Sequence, residues 1–222
     1  MTYAIIAITV VVSILSFNRR DLFDKLKFNA YFVLNRKEWY RFLSYGLVHA
    51  DYMHLFINMF VLYSFGEIVE VFFDHYFGPR ALLFFLLLYV GGLAFSTLYD
   101  FGAHKKDIWY NAVGASGAVS AVVFSSIILY PSGKIFLFFI PIGIPAPVFG
   151  LLYLGYSFYM AKKAKDNIGH NAHFFGAIFG IAFTILLHSD ILKHFLQLSH
   201  PRFNNLFNRN LSQRTLPQLA HI

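Results

Sequence analysis

The sequence contains no cysteine. Disulfides, thiolate metal sites and a cysteine nucleophile are therefore excluded, and cysteine usage leaves the redox compartment open. Charge is scarce as well. Only 13% of the 222 residues are Asp, Glu, Lys or Arg, against about 25% in soluble domains. That scarcity argues against an ordinary soluble domain. Apolar residues fill the space instead, with 58% hydrophobic and 20% aromatic residues, a composition of membrane proteins. The net charge of +7 is compatible with nucleic-acid binding, but no nucleic-acid motif accompanies it. In a membrane chain such charge belongs to juxtamembrane segments. No basic residue precedes the first apolar segment, and no small-residue cleavage pattern follows it. That segment reads as a retained span rather than a signal peptide.

Hydropathy predicts six spans of about 15 to 20 residues each: Tyr3–Phe17, His54–Phe73, Ala81–Leu98, Ser116–Tyr130, Ala146–Met160 and Ala172–His188. No alternating barrel pattern is present, so backbone groups in lipid must be satisfied within helices. The expected fold is all-α: a polytopic membrane protein with a six-transmembrane-helix bundle over residues 1–192 and a polar C-terminal tail over 193–222. The fourth span starts at Ser116, and so short a helix needs a protein-lined or wet cavity at its mouth. Between the first two spans lies a long connection, Asn18 to Asp51. It interleaves Arg19, Arg20, Lys25, Lys27, Arg36, Lys37 and Arg41 with Phe23, Phe28, Phe32, Trp39 and Tyr40. That mixture suits an interfacial segment with basic tips in water. The stretch IPIGIPAP, Ile140 to Pro147, reads as a turn-rich break before span five.

Successive helices alternate direction, so spans two, four and six start on one membrane face. His54, Ser116 and His173 therefore gather there, although they are distant in sequence. Asn58 lies one turn after His54, and His49 just before that span. Gly176 and Gly180 form a small-residue stripe on the His173 face, matched by Gly117 and Ala121 in span four. Small residues let helix backbones approach closely. Packing the two stripes would bring Ser116 and His173 to hydrogen-bonding distance, about 2.6 to 3.2 Å. The pattern then reads as acyl transfer. Ser116 is the candidate nucleophile, and His173 the base that takes its proton and returns it to the leaving amine. The Ser116 N–H, His54 and Asn58 are candidate oxyanion donors. Gly114 and Gly117 would let loop and substrate backbones come close. No Asp or Glu is placed to orient His173, so a Ser–His dyad is expected rather than a triad.

Plainer readings exist for each residue. A Ser in a membrane helix commonly bonds a backbone carbonyl, and an intramembrane His is often a structural hydrogen-bonder. Glu70 reads as a helix-packing residue that ties the bundle by hydrogen bonds. A zinc or transport site on His49, His54, His170 and His173 would leave Asn58 and the GASG stretch unexplained, so no metal and no other cofactor is expected. The nucleophile-elbow pattern G-x-S-x-G fails at Ala118, and H-E-x-x-H is absent.

At this point the residues resemble a known family. GASG (Gly114–Gly117), HADYMHLFINM (His49–Met59) and AHFFGAIFG (Ala172–Gly180) resemble the signature set of rhomboid intramembrane serine proteases. EWYRF (Glu38–Phe42) is similar to the W-R element of that family's first loop, and GEIVE (Gly66–Glu70) to its G-x-x-x-E element. The resemblance runs from about Trp39 to His188. It implies a Ser116–His173 dyad, oxyanion-side roles for His54 and Asn58, and a nearby support at His49. It also implies transmembrane protein substrates, lipid-bilayer contact, no nucleic acid, and a bacterial cytoplasmic membrane with both termini cytoplasmic. A rhomboid-like scaffold that binds membrane proteins without cutting them is the alternative, but such relatives usually lack the Ser or the His. Two departures stand out. Many relatives place an aromatic four residues after the nucleophile, where this chain has Ser120. And basic residues crowd the loops on the mouth side, where the positive-inside rule favours the orientation opposite to the family's.

Overall fold

The computed structural model describes residues 1–137, 140–163, 169–189 and 191. In chain order it contains α1 (Thr2–Asn18), α2 (Arg20–Leu26), α3 (Ala30–Arg36), α4 (Arg41–Ser44), α5 (Tyr52–Phe77), α6 (Ala81–Ser96), α7 (Leu98–His104) and α8 (Ser116–Leu129). There follow β1 (Lys134–Leu137), β2 (Ile140–Pro145), α9 (Ala146–Lys163) and α10 (His170–Leu187). The polar tail expected over 193–222 lies outside the described residues.

Helix α1 displays the solvent in which the fold lives. Its buried residues are Thr2, Thr9, Ser13 and Ser16, while Ile8, Val11 and Leu15 are more than half exposed. Polar groups face the protein and aliphatic groups face outward, the reverse of a water-soluble helix. Helix α9 repeats the pattern: Ala146, Gly150 and Ser157 are buried, and Leu151 and Leu152 point out. The stretch Tyr52–His104 and helix α10 are long and apolar enough to cross a bilayer, and α1 and α8 are shorter apolar helices. The chain is a membrane protein.

Contacts between residues fix the helix directions. His54 meets Gly114 at one end of the α5–α8 pair, and Phe72 meets Tyr130 at the other, so these helices run parallel. Gly117 meets Gly176 and Ala121 meets Gly180, so α10 is parallel to them. Helix α6 runs the other way, with Ser96 at Gly117 and Gly92 at Ala121. So does α9, with Tyr153 at Ser120 and Gly150 at Ile127. The starts of α5, α8 and α10 therefore share one end.

Two findings correct the expectations. The turn-rich break is a β-hairpin: β1 and β2 pair antiparallel, with Lys134 opposite Pro145 and Ile135 opposite Ile144. The fold is therefore mostly helical rather than wholly so. The long first connection is also folded, into α2 to α4. Arg41, expected to reach water, is only 4% exposed. It pairs with Glu38 (2.5 Å) and donates to the carbonyls of Asp24 (2.9 Å) and Lys27 (2.6 Å). Burial of a guanidinium is tolerable only when its donors are filled in this way. The connection is pinned to the approach of α8 by mutual backbone bonds between Phe28 and Ala112. Asn29 reinforces the join: it caps α3 at Phe32 N–H and reaches the carbonyls of Ile108 and Tyr110.

Candidate active site

Ser116 opens α8 after a sharp turn. Gly114 has φ +107, a left-handed value that costs most other residues dearly. A Cβ there would lie 2.5 Å from Cε1 and 2.8 Å from Nε2 of His54, so glycine also lets the imidazole edge rest on the turn. The turn is held from both sides. Gly114 N–H donates to the Tyr45 carbonyl (3.0 Å), and Ala115 N–H donates to His49 Nε2 (3.3 Å). Since Nε2 accepts, the proton of the neutral ring sits on Nδ1 and donates to Ser13 Oγ (2.9 Å). Ser13 in turn donates to the Leu47 carbonyl (2.8 Å). His49 is fully buried. Burial, with a smaller contribution from neighbouring His54, pushes it down to about 3. It is a neutral acceptor at physiological pH, linking α1 to the turn before Ser116.

Helices α8 and α10 then meet as a three-step ladder. A Cβ on Gly176 would collide with the Gly117 carbonyl, and one on Gly180 with the Ala121 carbonyl. One turn further, the hydroxyls of Thr184 and Ser125 are hydrogen-bonded at 2.8 Å. The steps fall every fourth residue on both helices, the condition for backbone contact along a parallel pair. Ser116 and His173 occupy the first turns of these two helices, at the open end of the ladder. Both side chains are partly exposed.

The other expected residues are placed as follows. His54 and His49 stand edge to face, with ring centres 5.0 Å apart. Asn58 is buried and donates through Nδ2 to the His54 carbonyl (3.0 Å), which leaves the amide a second N–H. Glu70 accepts from the backbone N–H of Thr2 (2.5 Å) and pairs with the Met1 amine (2.9 Å), while neighbouring Glu67 accepts from the Tyr3 hydroxyl. These carboxylates join α5 to α1, away from Ser116. Among the described residues, no three His, Cys, Asp or Glu side chains gather where they could hold a metal ion.

Sequence reasoning assigned no role to Ser13 or Tyr153. Tyr153 lies on the inner stripe of α9 with Ala146, Gly150 and Ser157. A lone tyrosine in a stripe of small residues was the available signal. Its hydroxyl is 2.8 Å from Ser120 Oγ, and its ring faces His173 at 6.2 Å with planes 29° apart. Ser120, the departure noted in the sequence, thus contacts an aromatic instead of being one.

A model of the rhomboid domain matches residues 36–190, which cover the Arg41 end of the first connection, the turn before Ser116 and the α8–α10 ladder. The chain is also 32% identical over 142 residues to the mitochondrial RHOMBOID-like protein 12 of Arabidopsis thaliana. That match covers 58% of this chain, which spans 40% of its relative's length. With well over half its length matched by the family model, this chain belongs to the rhomboid family.

Proposed function

We propose that this chain is an intramembrane serine endopeptidase, built as a six-helix bundle from α1, α5, α6, α8, α9 and α10. Ser116 attacks a scissile carbonyl and His173 takes its proton, then delivers it to the leaving amine as the acyl-enzyme forms. Water entering at the same mouth releases the acyl group, with His173 again as base. The Ser116 N–H, the His54 imidazole and the second N–H of Asn58 are the donors for the oxyanion. His49 fixes the turn that aims the Ser116 N–H. Substrates are membrane proteins cut within or beside a transmembrane segment, where helix-weakening residues let the backbone extend. In this arrangement both ends of the bundle lie on the face away from the mouth.

One observation carries the reading: the ladder aligns α8 and α10 in parallel, with Ser116 and His173 in the first turns of the two helices. The position of His54 against Gly114 supports it. Labelling with a fluorophosphonate tests it. Wild type should label, and Ser116→Ala and His173→Ala should each lose labelling and cleavage by about 10³-fold or more while still folding. A folded wild type that does not label would favour a non-catalytic rhomboid-like scaffold.

A further inference from the structure

We propose that Tyr153 is the positioning residue for His173 and that Ser120 latches it, so that docking of α9 sets the orientation of the base. The inference rests on the reading of Ser116 and His173 given above. A base that serves nucleophile and leaving group in turn must keep its ring plane through both transfers, and small misplacements cost rate. The side of His173 facing α9 has a flat neighbour, the Tyr153 ring at 6.2 Å and 29°. His170 stands edge-on to His173 at 6.0 Å and 80°. Tyr153 is itself fixed at its far end by the Ser120 hydroxyl and flanked by Phe124 and Phe149. Ser120 is buried one turn after Ser116. A serine is too short to stack on an imidazole, but its hydroxyl reaches the phenol.

The supporting ring thus comes from a helix that carries neither Ser116 nor His173. Helix α9 meets α8 through few large groups. Its inner stripe is otherwise small, and its bulky residues Leu151, Leu152 and Tyr156 face outward. A shift of α9 would carry the ring away from His173 while leaving the α8–α10 ladder intact. Catalytic competence is therefore coupled to the seating of α9.

The test uses the full chain, reconstituted with a cleavable helical substrate, and measures kcat, KM and the fluorophosphonate labelling rate. Tyr153→Ala should lower kcat and labelling by about 10- to 100-fold with KM held within about 2-fold. Tyr153→Phe and Ser120→Ala each break the latch, so each should cost about 2- to 5-fold. Their double variant should cost no more than either alone, because both remove the same hydrogen bond. Combining Tyr153→Ala with Ser120→Tyr moves the ring onto α8 and should recover part of the lost rate. The proposal is overturned by wild-type kcat in Tyr153→Ala, by additive losses in the latch pair, or by loss in Tyr153→Ala with no recovery on Ser120→Tyr. Should Tyr153→Ala not fold, the latch pair alone decides. Wild-type labelling at Ser116 separates the outcomes: its presence keeps the protease reading whatever Tyr153 does, and its absence removes both.

Discussion

Helix α8 has two neighbours built by opposite rules. Against α10 it packs backbone to backbone, with glycines at two steps and a hydroxyl pair at the third. Against α9 it packs through side chains: a Cβ at Gly150 would meet only the ends of the Phe124 and Ile127 side chains, at 3.3 and 3.4 Å, and Tyr153 bonds Ser120. Backbone contact leaves no rotamer to absorb a displacement, so the register of α8 and α10 is fixed. Side-chain contact can repack at modest cost. On the proposed reading, the fixed interface carries Ser116 and His173, whose spacing the reaction needs, and the adjustable one carries Tyr153, the ring proposed to steady His173.

Filling the ladder should produce the largest effect. Gly176→Leu drives a side chain into the Gly117 carbonyl, and no rotamer avoids a clash that begins at Cβ. A loss of about 3 kcal/mol or more is expected, with fluorophosphonate labelling abolished. Gly150→Ala on the α9 side brings its Cβ to 3.3 Å from Phe124 Cε1 and 3.4 Å from Ile127 Cδ1, side-chain ends that can yield by a few tenths of an ångström, and should cost less than about 1 kcal/mol. Thermal unfolding in detergent compares the two directly. Equal losses would show that the interfaces do not differ in kind.

The second break lies at the turn that feeds the rigid side. His49→Ala leaves the Ala115 N–H and Ser13 without their partner and opens a cavity, costing about 2 to 4 kcal/mol. Acid should act in the same direction. Folding holds His49 near 3 against an ordinary 6.5, so between these values the unfolded chain binds the extra proton. The contribution is full above about pH 6.5 and is lost as pH falls toward 3, by about 1.4 kcal/mol per unit. Protonated Nε2 would also set N–H against the Ala115 N–H. His49→Gln can accept from Ala115 without titrating, so it should lower the acid slope of unfolding midpoints. An unchanged slope would remove His49 as its source.

The two sides of α8 also differ in how far the sequence disclosed them. The ladder was legible because its glycines recur every fourth residue within a single helix, a local signal. The alternation of spans likewise placed His54, Ser116 and His173 at one end without any long-range information. Tyr153 was not legible, because its partner Ser120 is 33 residues away and no spacing rule links them. Arg41 was misread for the same reason: a buried cation and a surface one look alike until the carbonyls of Asp24 and Lys27 fold around it. The hairpin at 134–145 was hidden by its prolines and glycine, which signal turns locally, while the pairing that makes it a sheet joins residues up to 11 apart.

The smallest effect sharpens the comparison from the loose side. Gly155 sits within α9, and a methyl group added at its Cα would meet nothing within 4 Å. The residue is also exposed. Packing therefore gives no reason for glycine there. Helix propensity alone should make Gly155→Ala stabilising by about 0.5 to 1 kcal/mol, with labelling by a small fluorophosphonate unchanged within about 2-fold. Cleavage of a helical substrate need not follow labelling. If Gly155→Ala keeps labelling but slows cleavage, the glycine serves bending of α9 around a bound segment. If both rates hold, α9 moves as a straight rod, and its adjustability resides wholly in the side-chain contacts at Gly150 and Tyr153.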